Sequence, residues 1–227
     1  DPEIDSEHGY IGPGESSVSL GVTFRALSNG SLGATRSQKG DLIGTIGDVF
    51  VAWYTEDGAL AGSDYLPRDR MDVTDVERPG SATELRTQRA EFQCRIPYGR
   101  YRIYAVANMG DLSADATLAA RIGREEDLRS IVQEWVDDPV GDNCQMAGYF
   151  TPNDSGGTRG EAPLLTVDAP RQRLHAWIRR LVSKVTVSFD TTGLYENVYI
   201  YIKSARIRNI PRSCTLLDLS LIHISEP

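Results

Sequence analysis

Several features that define common classes of protein are missing from this chain. None of its apolar runs approaches the ~20 residues that a membrane-spanning helix needs. The 24 basic and 32 acidic residues give a net charge of −8, and no block of basic residues could follow a phosphate backbone. We therefore expect no nucleic-acid partner.

Cysteine is scarce, and its number is odd. Cys94, Cys144 and Cys214 lie far apart, and none belongs to a CxxC or Cys/His pattern of the kind that holds a metal ion. Three cysteines cannot form a disulfide framework, so we expect buried small side chains or free thiols. No metal and no cofactor is predicted.

Catalytic motifs are also missing. The sequence contains no GxSxG, HExxH, GxxxxGK[ST] or GxGxxG. His175 lies beside Trp177 in a basic stretch, and we expect it at a surface-facing strand position. Asp69, Asp72 and Asp75 recur every three residues, but the spacing of a calcium loop is absent, so a solvated loop is preferred. We predict that the chain is not an enzyme and assign no catalytic residue.

The strongest pattern present is the alternation of apolar and polar residues. It begins near residue 17 and predicts a strand with one buried face. The apolar residues of this strand are Val18, Leu20, Val22 and Phe24. Further strands are predicted before the turn at Asp57-Gly58 and on both sides of Pro97-Tyr98-Gly99. Short strands separated by turns predict a mainly β fold of antiparallel sandwiches.

One amphipathic helix is predicted, over EEDLRSIVQEW. Its apolar residues fall at i, i+3, i+4 and i+7 and form a single stripe. These residues are Leu128, Ile131, Val132 and Trp135. Three acidic residues, 125–127, lie in the first turn, where they complement the positive end of the helix dipole. We interpret them as capping residues and not as a functional carboxylate cluster.

Before its last nine residues, the chain divides into three predicted segments. Residues 1–16 are acidic and rich in Gly and Pro, and we expect a flexible tether. Residues 17–160 form a first β-sandwich domain, which contains the helix. A polar stretch, 151–163, has the composition of a linker, and 161–218 begin a second, incomplete sandwich.

The last nine residues are treated separately. LSLIHISEP, Leu219 to Pro227, resembles the in-frame translation of a transposase adapter used in preparing sequencing libraries. Such segments are excluded from reasoning about fold. We therefore expect 219–227 to be non-native and the natural protein to continue beyond about Leu217.

Five segments together resemble the fimbrillin superfamily of Bacteroidales, and the resemblance covers about residues 17 to 215. The most specific piece is YAVANMGDL. The five segments are GDVFVAWYTEDGAL, YGRYRIYAVANMGDLS, REEDLRSIVQEW, NCQMAGYFT and LVSKVTVSFD. The resemblance implies two transthyretin-like, Greek-key β-sandwich domains, the second truncated here. It also implies export through the periplasm to the outer membrane as a lipoprotein, with the lipidated Cys upstream of Asp1.

In fibre-forming members of that superfamily, an Arg-specific protease cuts the loop after the first strand. Loss of that strand exposes a groove, which a strand of the next subunit fills. On this sequence the resemblance implies an exchangeable strand from Ser17 to Phe24, with Val18, Leu20, Val22 and Phe24 filling the groove. Arg36 is the preferred cleavage site and Arg25 the second. An ordinary loop arginine is the alternative, because many members are never cut.

The expected function is therefore that of a structural or accessory fimbrial subunit acting by donor-strand exchange and adhesion. Its partners would be neighbouring subunits and host or bacterial surface ligands. The alternative is a surface lipoprotein that binds glycans and does not polymerise. An aromatic platform on the surface would favour the alternative, whereas a first strand lying in a sandwich groove would favour the subunit.

Limited proteolysis tests the predicted cleavage site. An Arg-specific protease should cut the folded protein first after Arg36, because the connection LSNGSLGATRSQKGD is polar and rich in Gly and Ser. Mass spectrometry of the earliest fragments identifies the cut. Resistance of this loop, or a first cut elsewhere, would contradict the assignment.

Overall fold

The computed structural model describes residues 4–5, 9–10, 14–24, 45–76, 87–134, 144–152, 161–181, 199, 201–204, 206 and 213–217. These residues form a mainly β protein, as predicted. No helix among them is long and apolar enough to cross a membrane. The predictions for Arg25, Arg36, Trp135 and the adapter-like tail lie outside the described residues.

Thirteen strands are described. Their bounds are β1 Ile4–Asp5, β2 Gly9–Tyr10, β3 Glu15–Phe24, β4 Asp48–Tyr54, β5 Leu60–Pro67, β6 Asp72–Val76, β7 Thr87–Pro97, β8 Gly99–Ala107, β9 Val132–Glu134, β10 Met146–Thr151, β11 Leu165–Val167, β12 Arg171–Arg180 and β13 Ser213–Thr215. The helices are a 3₁₀ turn, Arg68–Arg70, and two short α-helices, α1 Ala116–Ala119 and α2 Glu125–Arg129.

Nine of these strands form one sheet, in the order β5-β4-β8-β10-β12-β3-β7-β6, with β11 added beside β8. β5 and β6 lie at opposite ends of this order, yet only residues 68–71 connect them. β7 and β8 belong to different halves of the sheet and are joined by Tyr98 alone. These short connections bring the two halves together, so the sheet is curled.

The main core fills the inside of the curled sheet. Strands of both halves contribute side chains to it, because period-two alternation gives each strand one face toward the inside. β7 shows this most clearly, since Ala90, Phe92, Cys94 and Ile96 are buried and the residues between them are exposed. In β8, Tyr101, Ile103, Ala105 and Ala107 share the inner face, as predicted.

A second apolar cluster covers the outer face of β4, β8 and β10. Phe50, Tyr54 and Tyr104 point outward there and pack against Leu128 and neighbouring residues from the segment that contains α1 and α2. Tyr54 donates a hydrogen bond to the carbonyl of Ile122, with an O–O distance of 2.8 Å. The helical segment therefore covers a second apolar core on the outer face of the sheet.

Glu125 connects α2 to the sheet. The hydroxyl of Tyr104 donates to Glu125 Oε1 at 2.5 Å, and Arg102 Nη1 lies 3.4 Å from Oε2. Burial raises the pKa of Tyr104, and the hydrogen bond to Glu125 raises it further. Glu125 lies in the first turn of α2, as the sequence predicted, but it also contacts the sheet.

Asn108 shows why YAVANMGDL is distinctive. It directly follows β8 and has a φ of 62°, a left-handed conformation that asparagine tolerates better than most residues. Its Nδ2 donates to the carbonyls of Thr45 and Cys144 at 2.8 and 2.7 Å, and its Oδ1 accepts from the Gly47 amide. One side chain thus joins the segments before β4 and β10 to the end of β8.

The predicted helix over EEDLRSIVQEW was wrong in length. α2 ends at Arg129, and the chain then enters β9, which pairs with β13 so that Val132 lies opposite Thr215. Leu128 and Ile131 are buried as the stripe required, but Val132 is 48% exposed. Pairing with a strand about eighty residues later overrode the helical pattern.

Two segments predicted to be irregular contain strands. β6, predicted as a loop, pairs with β7 over five residues at the end of the sheet. The predicted tether contains the short pair β1–β2, and β3 begins within it, at Glu15. Polar composition alone did not separate an edge strand from a loop.

Two strands after residue 160, β11 and β12, belong to the same sheet as β3 to β8 and β10. β11 pairs with β8, and β12 lies between β10 and β3. The sequence instead predicts that these strands begin a second domain after residue 160. The second sandwich and the transthyretin-like topology stay predictions.

The buried and exposed positions after α2 generate a stability prediction. Leu128→Ala should lower the free energy of unfolding by about 2–5 kcal/mol, because Leu128 is fully buried. Val132→Ala should change it by under about 0.5 kcal/mol. Urea unfolding measures both, and equal losses would indicate a helix that continues through Val132.

Candidate functional site

The segment predicted to be exchangeable lies in the middle of the sheet. β3 pairs in parallel with β12 over eight residues, from Ser17–Arg171 to Phe24–Ile178. On its other side it pairs antiparallel with β7 over nine residues. Among the described strands, β3 and β12 form the one parallel pair, which departs from the predicted antiparallel arrangement.

The inward face of β3 carries large apolar side chains. Val18, Leu20, Val22 and Phe24 are at most 2% exposed and belong to the main core. Full burial of such a side chain contributes about 1.5–3 kcal/mol, so the four together contribute roughly 6–12 kcal/mol. This amount is comparable to the whole free energy of unfolding of a typical domain. The curled sheet therefore depends on the presence of a strand at this position.

The outward face of β3 carries only small or polar residues along most of its length. Ser17, Ser19, Gly21 and Thr23 alternate with the four apolar residues. Longer side chains from β7 and β12 cover this face. The hydroxyl of Ser17 donates to Gln93 Oε1 at 2.8 Å, and Thr23 Oγ1 and His175 Nε2 share a hydrogen bond of 2.8 Å.

Charged side chains cross over β3 from one flanking strand to the other. Arg173 Nη2 on β12 lies 3.0 Å from Glu91 Oε1 on β7, and Arg89 Nη2 lies 2.9 Å from the same oxygen. Arg173 is 72% exposed and Glu91 46% exposed, so the pair contributes about 1 kcal/mol or less. The small residues of β3 leave the room for this crossing.

His175 was expected at a surface-facing position, and this expectation was wrong. It lies on the outward side of β12 but is only 4% exposed. The rings of His175 and Trp177 meet edge to face, with centroids 5.1 Å apart. The neighbouring aromatic ring and Thr23 therefore bury a histidine that its strand alone would leave in solvent.

The cysteines lie largely where the sequence predicted. Cys94 and Cys144 are buried, whereas Cys214 is half-buried, and all three are free thiols. Burial raises the pKa of the Cys94 thiol, and nearby Asp64 raises it further. Burial likewise raises the pKa of Cys144.

A cavity of about 280 Å³ lies where the β4–β5 turn meets α2. Charged groups of both signs line it, and they pair with one another. Arg124 Nε lies 3.2 Å from Glu126 Oε1, in addition to the Arg102–Glu125 pair. The lining residues are Glu56, Asp57, Gly58, Arg102, Arg124, Glu125, Glu126, Arg129 and Glu161. They include no Ser, Cys, Thr or His that could act as a nucleophile with a base beside it.

Asp69, Asp72 and Asp75 do not form one site. Asp69 belongs to the 3₁₀ turn, and the other two lie on β6. Gln88 Nε2 donates to Asp75 Oδ1 at 2.9 Å. Within the described ranges, no group of three or more His, Cys, Asp or Glu residues could hold a metal ion.

Sequence reasoning found the inward residues of β3 but missed their neighbours. Alternation identifies one strand, whereas the pairing of β3 with β12 joins residues about 150 positions apart. The one available signal was the small size of Ser17, Ser19 and Gly21 opposite the large apolar residues.

A scan of protein-family models and a search of curated proteins give no match to the chain. Solved structures do match. One is a fimbrial assembly protein from Parabacteroides distasonis, 11% identical with a TM-score of 0.44, and the match covers 74% of this chain and 54% of that one. Another is the tip fimbrial protein Mfa3 from Porphyromonas gingivalis with a C-terminal truncation, 15% identical with a TM-score of 0.35, covering 70% and 48%.

The chain spans about half the length of these two structures. Both are named as fimbrial proteins. A likeness at this level does not assign a family, so the resemblance to the fimbrillin superfamily stays a prediction. Identities of 15% or less and TM-scores below 0.5 assign no function to this chain.

Truncation within β3 tests how far the core depends on it. Leu20→Ala should lower the free energy of unfolding by about 2–5 kcal/mol, since Leu20 is 1% exposed. Ser19→Ala, one residue away on the outward face, should change it by under about 0.5 kcal/mol. Denaturant unfolding followed by circular dichroism compares the two variants. Similar small effects would show that β3 is peripheral to the core.

Proposed function

We propose that the chain is a structural or accessory subunit of a bacterial cell-surface fimbria. In this proposal β3 is exchanged for a strand of a neighbouring subunit after proteolysis in the loop that follows it, and the assembled fibre mediates adhesion. The chain has no catalytic role in this proposal. The observation that carries it is the position of β3, a strand with large inward and small outward residues between β12 and β7.

The strands that flank β3 support exchange at this position. In the described part of the chain, β12 pairs with β10 and β3, whereas β7 pairs with β3 and β6. β3 is thus the link between the two halves of the sheet at this point. Its removal would leave two rows of unpaired backbone groups on either side of an apolar groove, which is the arrangement that accepts an added strand.

The size of the apolar contribution argues for replacement rather than simple loss. Four buried side chains contribute roughly as much as the net stability of a domain. A chain that lost β3 without an occupant would expose the main core and unfold or aggregate. An occupant with the same alternation restores the contacts, and backbone hydrogen bonds on both sides make the bound strand stable.

The proposal places the protein at the cell surface, with neighbouring fimbrial subunits as its partners. Export through the periplasm to the outer membrane and a lipid anchor upstream of Asp1 are part of it. Cleavage at Arg36, or at Arg25, would release β3 from the rest of the chain. Both arginines lie in the connection between β3 and β4.

Glycan binding without polymerisation is the second candidate, and two exposed aromatic residues favour it. Tyr199 and Tyr201 are 73% and 83% exposed and lie two residues apart. Aromatic faces of this kind stack against sugar rings. Trp53 is buried and Trp177 half-buried, so neither offers such a face.

Peptide exchange tests the proposed function. A recognition sequence for a site-specific protease is inserted within residues 25–44 of the full chain, so that cutting does not depend on either arginine. The cut protein should take up a fluorescent peptide of sequence ESSVSLGVTF, whereas the uncut protein should not, because its own β3 has a high effective concentration. Fluorescence anisotropy measures the uptake.

Two variant peptides control this experiment. Leu20→Asp places a charge in the main core and should abolish uptake. Ser19→Asp adds the same charge to the outward face and should be taken up. A cut protein that takes up no peptide, or that takes up all three equally, would contradict exchange at β3.

A further inference from the structure

We propose that His175 selects the strand that occupies the β3 position, by requiring glycine followed two residues later by a hydroxyl residue on its outward face. The occupant is a strand of a neighbouring subunit, and this inference rests on the proposed exchange of β3. In the chain itself Gly21 and Thr23 meet the requirement.

The hydroxyl is recognised by a buried hydrogen bond. Thr23 Oγ1 lies 2.8 Å from His175 Nε2, and the two residues are 6% and 4% exposed. An occupant without a hydroxyl here would remove the partner of a buried imidazole nitrogen. Leaving a buried polar group without its partner costs more than the bond contributes when it is made.

The glycine is selected because there is little space for a side chain at position 21. A Cβ added to Gly21 would lie 3.3 Å from His175 Cδ2 and 3.4 Å from Arg89 Nη2. Arg89 has a flexible side chain and can withdraw. The ring of His175 is held in place, because it packs edge to face against Trp177 and its Nε2 shares a hydrogen bond with Thr23 Oγ1. A large side chain would therefore have to displace a fixed ring.

His175 also fixes the register of the bound strand, which the apolar residues alone do not. A strand that slips by two residues keeps the same face inward, so alternation alone does not fix its position along the groove. In the observed register His175 lies opposite Gly21 and Trp177 opposite Thr23. A slip of two residues in one direction places Ser19 opposite His175, and in the other direction Thr23. Neither leaves glycine beneath the ring, so His175 distinguishes the correct register from its neighbours.

The peptide exchange assay tests the selection. The cut full-length protein is titrated with ESSVSLGVTF and with peptides carrying Thr23→Val, Gly21→Leu or Glu15→Leu. Thr23→Val should bind about tenfold more weakly, from loss of one buried hydrogen bond. Gly21→Leu should bind at least about tenfold more weakly, although leucine favours a strand more than glycine does. Glu15→Leu, outward but beyond His175, is the matched control and should bind as the native peptide does.

A double-mutant cycle assigns these losses to His175. In a His175→Ala protein, the difference between the native and Thr23→Val peptides should fall below about twofold, and Gly21→Leu should recover. The comparison of peptides on the unaltered protein decides the inference even if this variant does not fold. If the native peptide is taken up and the Thr23→Val and Gly21→Leu peptides bind as tightly as it does, the role of His175 is overturned. The proposed exchange of β3 would not be contradicted by that result. No uptake of any peptide would contradict the proposed function itself.

Discussion

The two-sided pairing of β3 is the constraint on which the rest of this structure depends. Residues 15–24 provide the inner row of the main core and join β12 to β7, two strands that have no pairing with each other among the described residues. The curled sheet can close only with a strand at this position. Because the inward side chains contribute roughly as much free energy as the net stability of a domain, the position must be filled at all times. An exchange mechanism would use this dependence to bind subunits together.

The two faces of β3 contribute differently to its binding. The inward face provides affinity through apolar burial, which is strong but indifferent to a two-residue slip. The outward face, with Gly21 and Thr23 beneath His175, provides the contacts that distinguish one register from another. The surface pair Arg173–Glu91 crosses the same face but is too exposed to decide binding.

Local patterns predicted local structure well and long-range pairing poorly. The strand at 18–24 and the turn at Asp57-Gly58 were predictable, because strand periodicity and turn formation depend on residues that are close together in the sequence. The helix was predicted too long, because Val132 leaves the helical stripe to pair with Thr215. The burial of His175 was missed for the same reason, since Thr23 lies 152 residues away. The participation of β11 and β12 in this sheet also depends on partners that composition does not reveal.

Hydrogen–deuterium exchange of the β3 amides is the most direct test of the central claim. Full-length protein is compared before and after a single cut within residues 25–44. In the uncut protein the amides of 16–23 should be strongly protected, because the strand is paired on both sides. After the cut, with excess peptide ESSVSLGVTF present to fill the position, the amides of the chain's own β3 should lose their protection together while β4 and β8 stay protected, as expected for a strand that is replaced as a unit. Unchanged protection of β3 in the cut protein, or simultaneous loss throughout the sheet, would contradict the account.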